Sequence, residues 1–257
     1  MKISANLGFL YTDRSLPDAI HAADADGFDA VECHFPYEFA AADVRTALHD
    51  TGLRMLGLNT VRGNVEQGDF GLSALPDRMH EARAAIEQAV EYAEAIGADN
   101  VHVMAGKTEG GNRAEDVFRK NLAYACELAA PHGIGILIEP INHRNVPGYH
   151  LSMVEHAADV ISDVAADNLR LMFDCYHVQI MQGDLIHRLE KHLPLIGHVQ
   201  IAAVPDRGEP DSGEVHYASV LSALASMGYH APVGAEYIPR GKGPAGDLTW
   251  LPKLQAL

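Results

Sequence analysis

Four short apolar runs in the second half of the chain each end in a residue able to hold a cation or carry a proton. GILIEP (residues 135–140) leads to Glu139, LRLMFD (169–174) ends in Asp174, IGHVQIA (196–202) carries Gln200 and PVGAEYI (232–238) carries Glu236. Apolar, partly β-branched runs of this length predict strands covered on both faces, and in a strand residues two apart share a side. Leu137 with Glu139, Met172 with Asp174, His198 with Gln200 and Gly234 with Glu236 therefore point the same way. Pro140 has no amide hydrogen for a ladder, so pairing stops beside Glu139 and leaves it at a strand's C-terminal end. Three carboxylates brought together raise one another's pKa unless protons or a cation intervene. A divalent ion resolves the conflict, and carboxylates plus an amide oxygen suit Mg²⁺ or Mn²⁺ better than structural zinc, which favours sulfur and nitrogen. Each acid alone is equally well read as a helix cap or part of a surface ion pair. Recurrence at corresponding positions of four successive strands argues for a site.

For those four ends to meet, the strands must converge. Strand-like runs alternate with helical segments along the chain: ISANLGFL, FDAVECHF, LRMLGLN and NVHVMAG precede the four runs above. Helices are expected over residues 16–25, 39–49, 76–96, 115–130, 153–164, 184–192 and 217–227. In the longest, Ile86, Ala89, Val90 and Ala93 share one face, Glu87, Glu91 and Glu94 the other, and Gly97 follows as a left-handed stop. Eight strands, the first seven each leading into a helix, with no linker or composition shift, predict one α/β domain over residues 1–257. A closed (β/α)₈ TIM barrel fits best, because its strands deliver their C-terminal ends to one mouth. An open doubly wound sheet is the alternative, and the absence of a G-x-G-x-x-G turn after the first strand counts against it.

Composition narrows the partners. The 257 residues, 47% of them apolar, are ample for a core, and the net charge of −16 would repel a nucleic-acid backbone. Cys33, Cys126 and Cys175 are odd in number and lack paired spacing, as expected in a reducing compartment. The N-terminal stretch MKISANLGFLYTDRS is too short in apolar residues for a signal peptide, and no run approaches the roughly 18 apolar residues of a membrane span. A soluble, cytoplasmic protein without nucleic-acid or membrane partners is expected, with a homo-oligomer left open.

The segments IEPINHRNVPGYHL, FDCYHVQIMQGDL, GHVQIAAVPDRGEPDSGEVHY and VGAEYIPRG resemble the hydroxypyruvate isomerase family of the xylose-isomerase-like barrels, and the likeness runs over nearly the whole chain. The resemblance implies a metal held by Glu139, Asp174, Gln200 and Glu236, with Glu139 and Glu236 as the acid/base pair. Asn145 stands where the family often has an acid, which puts any tuning of Glu139 by that neighbour in doubt. The implied reaction converts hydroxypyruvate to tartronate semialdehyde, with a four-carbon 2-oxo-tetronate as the alternative substrate. It removes a proton beside a carbonyl, passes through an enediolate and returns a proton to the former carbonyl carbon. A Lewis acid and two carboxylates suffice for this without a redox cofactor. His177, three residues beyond Asp174, and Arg207, after the seventh strand, are candidates to hold substrate oxygens and the substrate carboxylate, with Lys107 and Arg240 behind them. His102, His198 and His216 are read as core or loop residues, and the cysteines as core.

Three other readings remain. A retaining glycosidase also sets two carboxylates in a barrel, but needs neither a metal nor Asp174 and Gln200 beside them. An abasic-DNA endonuclease of the same superfamily would call for a histidine-rich zinc cluster and a basic surface. A metal-dependent sugar-acid sensor would keep the pocket without turnover. The clustered carboxylates predict that activity is lost on chelation and restored by Mg²⁺ or Mn²⁺; full turnover in protein shown by elemental analysis to be metal-free refutes the metal's role.

Overall fold

The computed structural model describes residues 1–241 and 243–257. Among these, eight parallel strands form one sheet: β1 (Ile3–Asn6), β2 (Ala30–Glu32), β3 (Leu58–Asn59), β4 (Asn100–His102), β5 (Gly135–Ile138), β6 (Leu169–Asp174), β7 (Ile196–Ile201) and β8 (Val233–Ala235). Their spatial order is β2-β1-β8-β7-β6-β5-β4-β3. The ring closes between β2 and β3 through a parallel bridge of Val31 with Met55, where the amides of Val31, Leu56 and Cys33 donate to Arg54, Val31 and Gly57 carbonyls. The architecture is the (β/α)₈ barrel, not the open sheet.

The enclosing helices are α1 (Leu16–Ala25), α2 (Ala41–Thr51), α3 (Met79–Ile96), α4 (Asn112–Ala129), α5 (Val154–Val164), α6 (Cys175–Met181), α7 (Leu185–His192), α8 (Tyr217–Ser226) and α9 (Leu251–Gln255). Helix α1 starts where the Ser15 hydroxyl accepts from the Asp18 amide, and α3 buries the stripe expected of it before ending on Gly97 at φ 74°. Ile136, Ile138, Leu171, Phe173, Val199, Ile201 and Val233 face outward from the strands and are fully buried beneath the helices. The strands are shorter than their apolar runs suggest. β1, for example, ends at Asn6 because the Asn6 side chain accepts from the Gly8 amide and turns the chain. Helices α6 and α9 are absent from the sequence reading. The first is one of the devices that build the site, since Asp174 caps it by accepting from the Tyr176 amide at 2.8 Å.

Inside the barrel, below the mouth, Glu32 of β2 meets His198 of β7 at 2.5 Å, and its other oxygen accepts from the side-chain amides of Asn6 (3.2 Å) and Gln200 (3.1 Å). Burial alone would discharge His198, but Glu32 outweighs it and raises the imidazole's pKa. Gly234 on β8 makes room for this pair: a Cβ there would lie 2.3 Å from Glu32 Oε1 and 2.9 Å from His198 Nε2. Those atoms are fixed by Asn6, Gln200 and each other and cannot swing aside cheaply. Gly234→Ala should therefore cost about 1–3 kcal/mol, an overpacking penalty. At about 2–4 °C per kcal/mol for a chain of this size, calorimetry should show a clear fall in Tm. An unchanged Tm would show that the interior accommodates the methyl group.

Candidate active site at the barrel mouth

The four predicted donors arrive together. Glu139 is the first residue past β5, Asp174 the last of β6, Gln200 lies next to the end of β7, and Glu236 is the first past β8; all four are buried. Glu139 and Glu236 line a cavity of about 850 Å³, with His177 and Arg207 on the same wall. Gln200 lines a small recess beneath it that Glu139 and Glu236 also touch. One oxygen each of Glu139 and Asp174 and a ring nitrogen of His177 lie within 4.8 Å of one another.

Each polar group is oriented by defined partners, with Arg207 shared between Asp174 and Glu236. Asp174 spends Oδ1 on the α6 cap, leaving Oδ2 at 3.4 Å from Arg207 Nη2 and 3.5 Å from His177 Nε2. Glu236 accepts from His34 Nε2 on Oε1 (2.8 Å) and from Arg207 Nη2 on Oε2 (2.7 Å). Gln200 gives its amide NH₂ to Glu32, so its carbonyl oxygen is the end left over, and that oxygen is buried without a partner. Arg207 is clamped between the Phe9 and Tyr176 rings, each 4.9 Å from the guanidinium carbon. Its backbone is left-handed, φ 57°, an unfavourable state for a residue with a Cβ. Its amide bonded to Ala203 and its carbonyl taken by Ile238 hold it there.

His177 has a defined tautomer. Its Nδ1 accepts from the Asn142 backbone amide (3.2 Å) and side-chain amide (2.6 Å), so in the neutral ring the proton is on Nε2, facing Glu139 at 3.6 Å and Asp174 at 3.5 Å. Burial and then Arg207 keep that ring neutral by pushing its pKa well down. A protonated Nε2 is a donor toward oxygen, which fits substrate holding and not metal ligation. Asn145 accepts from Asn142 Nδ2 (2.8 Å) and from the Tyr176 hydroxyl (2.9 Å). Asn145 thus acts here by holding Asn142, which supports His177.

Electrostatics divide the carboxylates. Burial, then Glu236 and Asp174, push Glu139 well above the usual carboxylate range, and one of its oxygens, Oε1, is buried without a hydrogen bond. Burial raises Asp174 to about 7 despite the opposing pull of Arg207. Burial also raises Glu236, but Arg207 and His34 overcome it and hold Glu236 below its ordinary value.

Lys107 and Arg240 are not brought to the cavity. Lys107 Nζ donates to the Gly68 carbonyl in an exposed setting. Arg240 is spent on Glu209, with its Nε 2.6 Å from the carboxylate and Nη2 on the backbone carbonyl. The sequence reading missed the other arc of the mouth: His34, Asn59, His102 and Arg62 all line the cavity. His102 donates from Nδ1 to Asn59 Oδ1 at 3.3 Å, and burial lowers its pKa to about 4, so it is neutral. The signal was available, because the rule applied to strands five to eight also places these residues at or just past the ends of strands two to four.

The residues present fit a divalent cation. Two buried oxygens, on Glu139 and Gln200, lack any partner; two of the three carboxylates, Glu139 and Asp174, are pushed toward protonation by burial and then by Glu236; and the donor set is all oxygen. A guanidinium already supplies positive charge to Asp174 and Glu236.

Comparison with known proteins identifies the family and agrees with the fold. The family model described as "Xylose isomerase-like TIM barrel" matches residues 20–254. The chain is 43% identical to a 2-oxo-tetronate isomerase of Cupriavidus necator, over 97% of each chain. It is 41% identical to a putative hydroxypyruvate isomerase of Mus musculus, over 98% of this chain and 94% of that one. A crystal structure described as "AP endonuclease, family 2" from Brucella melitensis superposes with a TM-score of 0.93 at 38% identity, over 98% of both chains. With a family model spanning nearly the whole chain and full-length relatives above 40% identity, the protein belongs to the xylose isomerase-like TIM barrel family.

Proposed function

We infer that the protein is a metal-dependent isomerase of short 2-keto-3-hydroxy acids, interconverting hydroxypyruvate and tartronate semialdehyde. The observation that carries this reading is the pair of glutamates, Glu139 and Glu236, in one cavity with opposite electrostatic tendencies. A divalent ion held by Glu139, Asp174, Gln200 and Glu236, with Mg²⁺ or Mn²⁺ matching the donors, would supply Lewis-acid stabilisation of the charge that develops on the substrate oxygens. Glu236, kept ionised by Arg207 and His34, takes the proton from C3. Glu139, the carboxyl biased toward holding a proton, returns one to C2, while the proton of the C3 hydroxyl passes to the C2 oxygen and exchange with solvent resets the two glutamates. A bound cation lowers both pKa values, so it is the sign of the difference, set by Arg207 and His34 beside Glu236 alone, that carries over. His177 offers its Nε2–H to the oxygen that gains charge in the enediolate.

The donor set and the relatives' names favour this over the alternatives. An abasic endonuclease, the description carried by the Brucella melitensis structure, would bring a polyanion to a chain of net charge −16. The 850 Å³ cavity leaves room beyond a three-carbon acid, so the four-carbon 2-oxo-tetronate, named for the Cupriavidus necator relative, is the second reading.

Glu139→Gln and Glu236→Gln should each lower kcat at least about a hundredfold. They should differ in D₂O: Glu139→Gln keeps exchange of the C3 hydrogens with solvent, whereas Glu236→Gln loses exchange and turnover together. The reverse pattern would invert the assignment, and near-wild-type kcat in either variant would remove that glutamate from the chemistry.

Arg207 is the anchor for the substrate carboxylate, because its Nη1 makes no hydrogen bond among the described residues while Nη2 and Nε face Glu236 and Asp174. Arg207→Ala also unpairs those two acids, so the diagnostic quantity is a ratio. Losses in kcat/KM on hydroxypyruvate and 2-oxo-tetronate should far exceed the loss on neutral dihydroxyacetone, and Arg207→Lys should already be harmful because it lacks the planar fork. Equal losses on acids and the neutral triose would move the anchor to Arg62, stacked 4.7 Å over Phe35 on the cavity wall. A wild-type preference for the neutral sugar would overturn the substrate class.

A further inference from the structure

A second group of metal-ligating side chains lies outside the cavity, where α4 meets α5. Glu115 is in the first turn of α4, His156 in the first turn of α5, and His150 on the loop between β5 and α5. One ligand atom from each lies within 4.8 Å of the others, and none of the three lines the mouth. Glu115 divides its carboxylate as a ligand would. Oε2 is taken by Arg119, which also bonds Asp163 at 3.0 Å, while Oε1 lies 3.2 Å from His150 Nε2 and 2.9 Å from His156 Nε2.

His150 supplies the independent observation. Its side chain is 1% exposed, its amide donates to the Gly106 carbonyl, its Nδ1 lies 2.9 Å from Thr108 Oγ1, and its ring packs edge-on to Phe118 at 5.4 Å. The ring is thus fixed from every side except at Nε2, which is buried and makes no hydrogen bond although a carboxylate oxygen is 3.2 Å away. The oxygen lies off the line along which that nitrogen could donate. Such a nitrogen, aimed between a carboxylate and a second imidazole, matches a ligand better than a hydrogen-bond donor. With zinc–ligand bonds of 2.0–2.1 Å, neighbouring donors of a tetrahedral site lie about 3.3 Å apart, close to both distances here. Burial also lowers the pKa of His150, leaving its lone pair free at neutral pH, and Arg119 and His156 outweigh burial to keep Glu115 ionised.

We propose that Glu115, His150 and His156 bind one Zn²⁺, with water in the fourth position, as a clip between α4, α5 and the β5–α5 loop. Two imidazoles and a carboxylate select zinc over Mg²⁺ or Ca²⁺, the opposite preference to the all-oxygen mouth. The opposing charges are Arg119, shared with Asp163, and two helix N-termini of roughly half a charge each; the full charge of Glu115 and the protein's net −16 offset them. Thr108 acts as the outer partner that orients His150. The same loop carries Asn142 and Asn145, so the clip fixes the far end of the segment that supports His177. The proposal does not depend on the reaction assigned to the mouth.

Zinc content and a Co²⁺ absorption spectrum test it. In protein carrying Asp174→Asn and Glu236→Gln to disable the mouth, titration with Zn²⁺ alone should give one tightly bound ion per chain, and Co²⁺ should give the visible bands of four-coordinate nitrogen–oxygen ligation. Adding His156→Ala, a change at a partly exposed helix position, should abolish both. In the otherwise wild-type chain the same substitution should lower the zinc content by one, a readout independent of the mouth variants. Zinc content unchanged by His156→Ala and by Glu115→Gln, or no zinc bound by the mouth-disabled protein, would overturn the site.

Discussion

Three carboxylates buried this closely together cannot all stay charged at ordinary cost, and much of the structure around the mouth answers that constraint. The effective penalty for burying an ion is several kcal/mol, repaid when hydrogen-bonded partners are well placed. Here the positive partner is Arg207, and it is shared unequally: Nη2 lies 2.7 Å from Glu236 but 3.4 Å from Asp174. His34 adds a second donor to Glu236. Glu139 receives neither and is left between two imidazoles that burial keeps neutral, His102 and His177. The left-handed backbone of Arg207, its two aromatic neighbours and the extended tie to Ile238 are parts of one device for holding a cation beside one glutamate and not the other.

Orientation of the donors is set from below. Gln200 could present either end of its amide upward; Glu32 takes the NH₂ end, and the oxygen is what remains. Glu32 is fixed in turn by His198 and Asn6, in space that Gly234 leaves free. A glycine on β8, an ion pair between β2 and β7 and an amide on β7 therefore act as one unit deciding which atom faces the mouth. Asp174 shows the same economy within a single side chain, with one oxygen capping α6 and the other turned to the site.

The barrel was legible because short buried strands and amphipathic helices alternate without interruption, and the four donors because carboxylates and an amide recur at apolar strand ends. Glu139 before Pro140 was the strongest single clue. Helix α6 escaped because its signal, a capping aspartate, had been assigned to the site; the two roles use different oxygens and do not compete. Arg240 and Lys107 were plausible cations near the right loops, but a sequence does not say that Glu209 or the Gly68 carbonyl lies closer than the cavity. His102 is read from the sequence as a core or loop residue because it has no partner at ligand spacing, a rule suited to metal sites and not to the wall of a cavity, and His34 is not singled out at all.

The arrangement also explains why the acids crowd one arc. Strands β5 to β8 are neighbours in the sheet, about 4.8 Å apart, so donors at their ends can converge on one point without long side chains. The opposite arc, from β2 to β4, presents His34, Asn59 and His102, with Arg62 and Glu38 beyond them. The acids of this arc are kept off the glutamates: Glu38 is exposed at the cavity rim, and Glu32, below the mouth, is paired with His198. A further acid beside Glu139 would repel the anionic substrate proposed for the site and raise Glu139 still more, as Glu32 already does, whereas neutral donors can grip hydroxyl and carbonyl oxygens without disturbing the balance that separates the two glutamates. Charge separation across the mouth is therefore built by strand order before any ligand arrives, and the proton transfer proposed for the two glutamates depends on it.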